Sequence, residues 1–215
     1  MFLTEAEASA IDARIAAVES RTGVQIVTAI IGKSDTYAAL PWKAFALGAV
    51  LAAFGLVLAE AWRPEWVTAD ASFVDTATIL GVAVACALAA VFVHPFARLF
   101  LGRHRRDLEV RQHAQSLFLT RELFATGSRT GVLILVSVFE RRIEILPDTG
   151  LHARVGEADW RTVVERMAPH LRESRPFHAL EEGLAAAEAM LTAKGLRGTA
   201  AANELPDRPI EERGE

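Results

Sequence analysis

The sequence predicts an α/β domain split by an inserted two-helix transmembrane hairpin, and three observations lead there. Two long windows carry almost no charge, short β-branched runs lie on either side of them, and amphipathic helical periodicity fills much of the rest. The unevenness matters more than the average. Of the 215 residues 52% are apolar, yet charge is dense everywhere outside the two windows. A chain of this length holds one domain, or one domain with an appendage.

Taken in order, Thr4 and Glu7 form a capping-box pattern, and Ala8, Ile11, Ile15 and Val18 recur at helical spacing, so the first element is an amphipathic helix. Thr22 and Gly23 end it. The run VQIVTAII from Val24 to Ile31 is β-branched and nearly all apolar, as a strand covered on both faces is, and Gly32 closes it. The first uncharged window extends from Ala44 to Ala59 between Trp42 and Trp62. At ~1.5 Å per residue those tryptophans stand ~30 Å apart, the thickness of a bilayer's hydrocarbon core, and they read as interfacial belts. The second window, Thr76 to Ala97, is uncharged apart from His94. The expected spans are therefore residues 42–62 and 76–97. Two such helices in so short a chain leave too little protein to bury them as core helices, and the polar Met1 to Glu19 stretch does not resemble a cleavable signal. Gly81, Ala85 and Ala89 place small residues at every fourth position, suited to packing against the partner helix. No Asp, Glu, Lys or Arg falls in mid-window, so the hairpin reads as an anchor, not a transporter.

Orientation follows from basic residues. Lys33 and Lys43 precede the first window, and Arg98, Arg103, Arg105, Arg106 and Arg111 follow the second. The connecting loop carries Glu60, Glu65, Asp70 and Asp75 against a lone Arg63. Both termini are thus expected in the cytoplasm and the connecting loop outside; Arg103, Arg105 and Arg106 are also placed for contact with anionic lipid, although their topogenic role already accounts for them.

Beyond the hairpin, Leu108, Leu117, Phe118, Leu123 and Phe124 suggest a helix closed by Gly127. The runs VLILVSV from Val132 and RIEILP from Arg142 flank the turn Phe139, Glu140, Arg141, and read as an antiparallel hairpin. Ile143 and Ile145 share one face of its second strand, with Arg142 and Glu144 on the other. Trp160, Val163, Val164, Met167 and Leu171 mark one further helix, and Phe177, Leu180, Leu184, Ala187 and Leu191 another, both amphipathic and so both covering a sheet. The first forty or so residues are too few to bury VQIVTAII alone. Residues 1–40 and 105–197 are therefore expected to assemble one domain around a hairpin at 41–104, leaving a Pro-rich, charged, flexible tail at 198–215 that is either disordered or loosely docked.

The chemistry is sparse. A net charge of −4, with 23 Lys and Arg against 27 Asp and Glu, provides no basic footprint for nucleic acid. The single cysteine, Cys86, excludes an intrachain disulfide. No GxSxG, HExxH, P-loop or Rossmann glycine pattern occurs, and the six histidines lack ligand spacing, His152, His170 and His178 reading as surface or cap residues. Asp35 and Tyr37 lie just past the carboxyl end of the first strand, where open α/β sheets often bind ligands, though a turn feeding the membrane helix is their ordinary role. Glu140 and Arg141 occupy the β-turn, where a solvated turn is their ordinary role. Arg129 and Asp148 flank the ends of the antiparallel hairpin and so are expected to meet, as a structural ion pair or as an anion-recognition site.

The strand VQIVTAII after a Thr-Gly, then TGVLILVSVFERRIEILPDTGL, then two amphipathic helices, resembles the TPM-domain family, named for a thylakoid lumen protein, a photosystem repair protein and a receptor modulator. The inserted hairpin and the tail NELPDRPIE are similar to its bacterial membrane-embedded branch. The resemblance implies an α/β/α sandwich and no settled reaction. Soluble relatives have been assigned weak acid phosphatase activity, calcium binding, or the repair and assembly of membrane complexes. Where many carry Asp-Asn-Gly before the central strand this chain has Arg129, Thr130 and Gly131, and in place of Gly-Tyr-Gly it has Asp148, Thr149 and Gly150. Both departures weaken the phosphatase and metal readings. The first expectation is accordingly a non-catalytic, membrane-anchored interaction or assembly module for other membrane proteins. A phosphate-ester hydrolase using Asp148 and Arg129 is the second. The third is a module that binds a divalent cation, calcium or magnesium, through Asp148, Glu157 and Asp159.

Overall fold

A computed structural model gives the architecture, and the structure describes residues 2–34, 37–62, 69–100, 102–198 and 208–212. The chain divides into two compact units, Met1–Thr36 with Arg106–Glu215, and Tyr37–Arg105.

The first unit is built on a four-stranded sheet of order β3-β2-β1-β4. Strand β1 (Gln25–Ile31) runs parallel to β2 (Gly131–Ser137), with Gln25 opposite Gly131 and Ile31 opposite Ser137. Strand β3 (Arg142–Pro147) returns antiparallel to β2. VQIVTAII and VLILVSV thus share a sheet across the inserted hairpin. All seven residues of β1 and all seven of β2 are buried, because alternate side chains feed two cores. Ile26, Ile30, Val132, Ile134 and Val136 point into a core closed by α1 (Glu5–Thr22), α6 (Glu157–Arg172) and α7 (Pro176–Ala193). On the opposite face, Val27, Ala29, Ile31, Leu133 and Leu135 pack against Val110, Ala114 and Leu117 of α5 (Arg103–Thr120). The result is a three-layer α/β/α arrangement. Helix α1 starts at the expected capping box, Thr4 Oγ1 accepting from Glu7 N and Glu7 Oε2 from Thr4 N, and ends at Gly23 in the left-handed conformation. Leu108, expected in the apolar face of α5, is exposed, whereas Val110 and Ala114 hold that place.

Part of the tail docks on the sheet. Residues 210–212 form a fourth strand, β4 (Ile210–Glu212), parallel to the outer edge of β1, with Ala29 opposite Ile210 and Ile31 opposite Glu212. Gly32 N donates to Glu212 O at 2.8 Å to continue that ladder.

The second unit is a helical hairpin of α2 (Ala39–Trp62) and α3 (Ala69–Phe92), followed by the short α4 (His94–Leu99). Both long helices are long and apolar enough to cross a membrane, and only 11% of each candidate span is buried. The second helix begins earlier than expected and ends five residues before Ala97. Pro95 has no N–H to continue the ladder, and Val93 turns to an extended conformation ahead of α4. The packing seam also differs from expectation. Gly81 and Ala85 face outward, and a Cβ on Gly81 meets nothing within 4 Å. The contact with α2 is made instead by Ala83 and Cys86, where a Cβ added at Gly48 would stand 2.9 Å from the Cys86 sulfur and 3.1 Å from Ala83 Cα.

Candidate functional site

The register of the antiparallel pair sets the site. Val132 opposes Pro147, so the residues before β2 and after β3 emerge together at one end of the hairpin. Asp148 N donates to Gly131 O at 2.8 Å and Gly150 N to Arg129 O at 2.9 Å, zipping the two flanks one step beyond the sheet. Gly150 is required there, because a Cβ would lie 2.5 Å from both the Ser128 and the Arg129 carbonyl oxygens. Thr126 braces the other flank, its carbonyl accepting from Arg129 N and its Oγ1 from Thr130 N. This tight loop holds Arg129 at φ +54°, a left-handed conformation uncommon for a residue with a side chain.

The guanidinium meets the carboxylate side-on, through its Nε edge. Arg129 Nε donates to Asp148 Oδ2 at 2.7 Å and Arg129 Nη2 to Asp148 Oδ1 at 2.9 Å, a two-pronged arrangement that fixes orientation as well as distance. Asp148 Oδ1 also caps the short turn that follows, accepting from Thr149 N at 2.7 Å and Thr149 Oγ1 at 3.3 Å. Burial pushes the Asp148 carboxyl up, but the hydrogen bonds from Arg129 and Thr149 outweigh it, and the group rests below the usual carboxylate range. The hydrogen bond to Asp148 raises Arg129 in turn. The pair is asymmetric: the Asp148 side chain is 3% exposed and the Arg129 side chain 51%. Phe124 lies beside the guanidinium, its ring centroid 5.9 Å from Cζ. A buried carboxylate therefore holds a half-exposed cation in one orientation, with the rest of the guanidinium turned to solvent.

The other candidates are placed elsewhere. Asp35 lies outside the described residues. Tyr37 is buried, at φ +46°, and belongs to the second unit. Arg141 is exposed at φ +51° in the β2–β3 turn, as a solvated turn residue is. Glu140 is not solvated: it is 1% exposed, its Oε1 accepts from Ser34 N at 2.9 Å and its Oε2 from the Ser137 hydroxyl. It acts as an internal brace joining the ends of β1 and β2, and the lone serine in the otherwise apolar β2 run was the signal that a buried polar partner existed. Ser34 and Thr149 were not foreseen as partners, because their shorter contacts are made through backbone amides.

Among the described residues, Asp148, Glu157 and Asp159 are not gathered into one metal-ligand group, and no group of three or more His, Cys, Asp or Glu side chains converges. Both oxygens of Asp148 are engaged by Arg129 and Thr149, while Asp159 Oδ2 accepts from Lys194 Nζ at 2.7 Å and Gly156 N at 2.9 Å; Glu157 is an exposed first-turn residue of α6. His170 and His178 stack at 6.2 Å between ring centroids on α6 and α7.

Comparison with known proteins agrees with this architecture. The family model described as the TPM domain matches residues 89–190. The NMR structure of BA42 protein from the psychrophilic bacterium Bizionia argentinensis is similar in fold, with a TM-score of 0.57 at 15% identity, covering 98% of this chain and 96% of that one. No curated protein matches the chain.

Proposed function

We infer that this chain, a TPM-domain protein, is a membrane-anchored, non-catalytic recognition module that holds other membrane proteins in an assembly or maintenance role. The observation that carries the reading is the Arg129–Asp148 clamp. A carboxylate whose oxygens are engaged and whose proton affinity is lowered is a poor general base, but it is well suited to orient an arginine toward a partner's carboxylate or phosphate. The hairpin supports the anchor. A core helix of comparable composition is mostly buried, whereas α2 and α3 present Leu47, Val50, Leu51, Phe54, Leu80 and Leu88 outward. The basic flanks and acidic connection orient both termini and the α/β unit toward the cytoplasm of an inner membrane.

The test is extraction of the tagged chain in mild detergent and identification of what co-purifies. Defined membrane partners should accompany the wild type and be lost from Arg129→Gln and Asp148→Asn, while both variants keep a cooperative thermal transition. Retention of partners by folded variants would remove the recognition role, and a phosphatase rate abolished by both would replace it with hydrolysis. Topology is checked with single cysteines at Ala71 and Ala200 in a Cys86→Ser background. An impermeant thiol reagent on intact cells should label the first and not the second; the reverse pattern inverts the orientation.

A further inference from the structure

The outer edge of β1 is occupied by a short segment whose attachment is largely polar. Of β4 only Ile210 packs against a core, at its margin, and none of its three residues is fully buried. The remaining anchors are side-chain bonds. Glu211 accepts from the backbone amides of Phe2 at 2.9 Å and Leu3 at 3.2 Å, His113 Nε2 and Glu212 Oε2 stand 3.1 Å apart, and Arg208 Nη2 reaches both oxygens of Glu5 at 2.9 and 3.0 Å. An open cleft of about 220 Å³ formed by His113, Ser116, Leu117, Thr120 and Arg121 flanks Glu212. The edge beneath is a prepared receptor: a strand backbone for main-chain pairing, an apolar margin for one side chain, two convergent amides and an imidazole for two carboxylates. Farther along the same strand the edge is closed differently, Glu19 Oε1 taking the Ile26 amide at 2.7 Å.

We propose that this edge is a strand-accepting site for an extended Ile-Glu-Glu segment, held in cis by the chain's own residues 210–212 and filled in trans by the same segment of a second copy. Everything that recognises the segment in cis recognises it equally from another molecule, because each contact is specified by the segment and the edge alone. Addition of a strand to a sheet edge derives affinity from main-chain bonds and selectivity from alternate side chains, and exchange of an identical element between copies adds no new contact. Tethering gives the cis segment an effective concentration on the order of millimolar, which the trans segment approaches only where copies are crowded in the membrane plane. The site does not involve Arg129 or Asp148.

The probe is a fluorescein-labelled peptide of residues 207–215, followed by anisotropy with the full chain in detergent micelles. The receiving variant carries Ile210→Asp, Glu211→Gln and Glu212→Gln, which remove the apolar and charged anchors of its own segment and so weaken its hold on the edge. The peptide should bind this variant saturably and at least tenfold more tightly than it binds the wild type, and the same three changes in the peptide should cost at least tenfold. A tagged copy of the variant should then capture an untagged wild-type copy but not an untagged variant. Equal binding to wild type and variant, or none to a variant that still melts cooperatively, overturns the proposal. So does a variant with no cooperative transition, since the segment would then be integral to the fold. Peptide binding without capture of the wild-type copy overturns the second copy as its occupant.

Discussion

Strand β1 and helix α2 are both apolar stretches flanked by polar sequence, and they resolve that character in opposite directions. Every residue of β1 is buried, divided between two cores by the alternation of a pleated strand. In α2 the apolar side chains look outward, and the buried positions are Leu40, Ala44 and Gly48, two of them among the smallest available. The α/β unit hides large side chains and α2 hides mostly small ones. Hydrophobic content therefore predicts that a segment leaves water; where it goes depends on length and on which residues sit at the contact.

The sharpest way to break that contrast is paired truncation. Leu133→Ala, on the fully buried β2, should cost about 2–5 kcal/mol, whereas Leu51→Ala, 58% exposed on α2, should stay within about 0.5 kcal/mol, both read by denaturant unfolding in detergent. Equal costs would mean that α2 is packed as a core helix. The next test concerns glycines. Gly48→Leu should spread the hairpin at an expense of about 1–3 kcal/mol and speed thiol labelling of Cys86, while Gly81→Leu, in open space, should do neither.

Two smaller effects separate the carboxylates of the soluble unit by pH. The folded-state affinity of Asp148 for a proton is depressed, so its contribution to stability is present above the unfolded value of ~3.9 and is lost as pH falls through the lower folded value. Asp148→Asn should flatten the acid side of a melting-temperature profile below about pH 4. Glu144 has the opposite sign. Burial pushes it up, Arg111 opposes this and Asp107 adds to it, so its contribution is greatest below the unfolded value of ~4.3 and declines as pH rises toward the folded one. Glu144→Gln should leave neutral-pH stability unchanged or raise it by no more than about 1 kcal/mol, with less decline between acid and neutral pH than the wild type.

What was legible in the sequence was what repetition encodes. The sheet's inner strands, the amphipathic helices and the two apolar helices each announce themselves over seven or more residues, and the antiparallel register carried Arg129 and Asp148 to one edge. Phase was harder. The seam of α3 lies at Ala83 and Cys86, the nearer of them two positions from Gly81 and thus about 200° around the helix, and alanine is too frequent there for composition to choose the side. Strand β4 was not legible because three residues carry no period and its attachment is made by distant partners, Phe2, Leu3 and His113. Glu140 misled for a related reason: charge in a turn ordinarily signals solvent, and the Ser137 hydroxyl together with the Ser34 amide, arriving from beside β1, makes it a buried brace.

The parallel pairing of β1 with β2 also imposes an order on synthesis. Gln25 and its partner Gly131 are separated by 106 positions, and both membrane-type helices are made between them. At ~5–20 residues per second a ribosome takes roughly 5–20 s to cover that interval. For that time one of the most apolar segments of the soluble unit has been made and its neighbouring strand has not. Helix α1, already complete, can cover one side of it, while the other side waits for α5. On the proposed anchoring, the nascent chain carries an aggregation-prone strand through the stage at which the hairpin enters the membrane, so slowing that entry should lower the yield of folded α/β unit even if every residue of that unit is left unchanged.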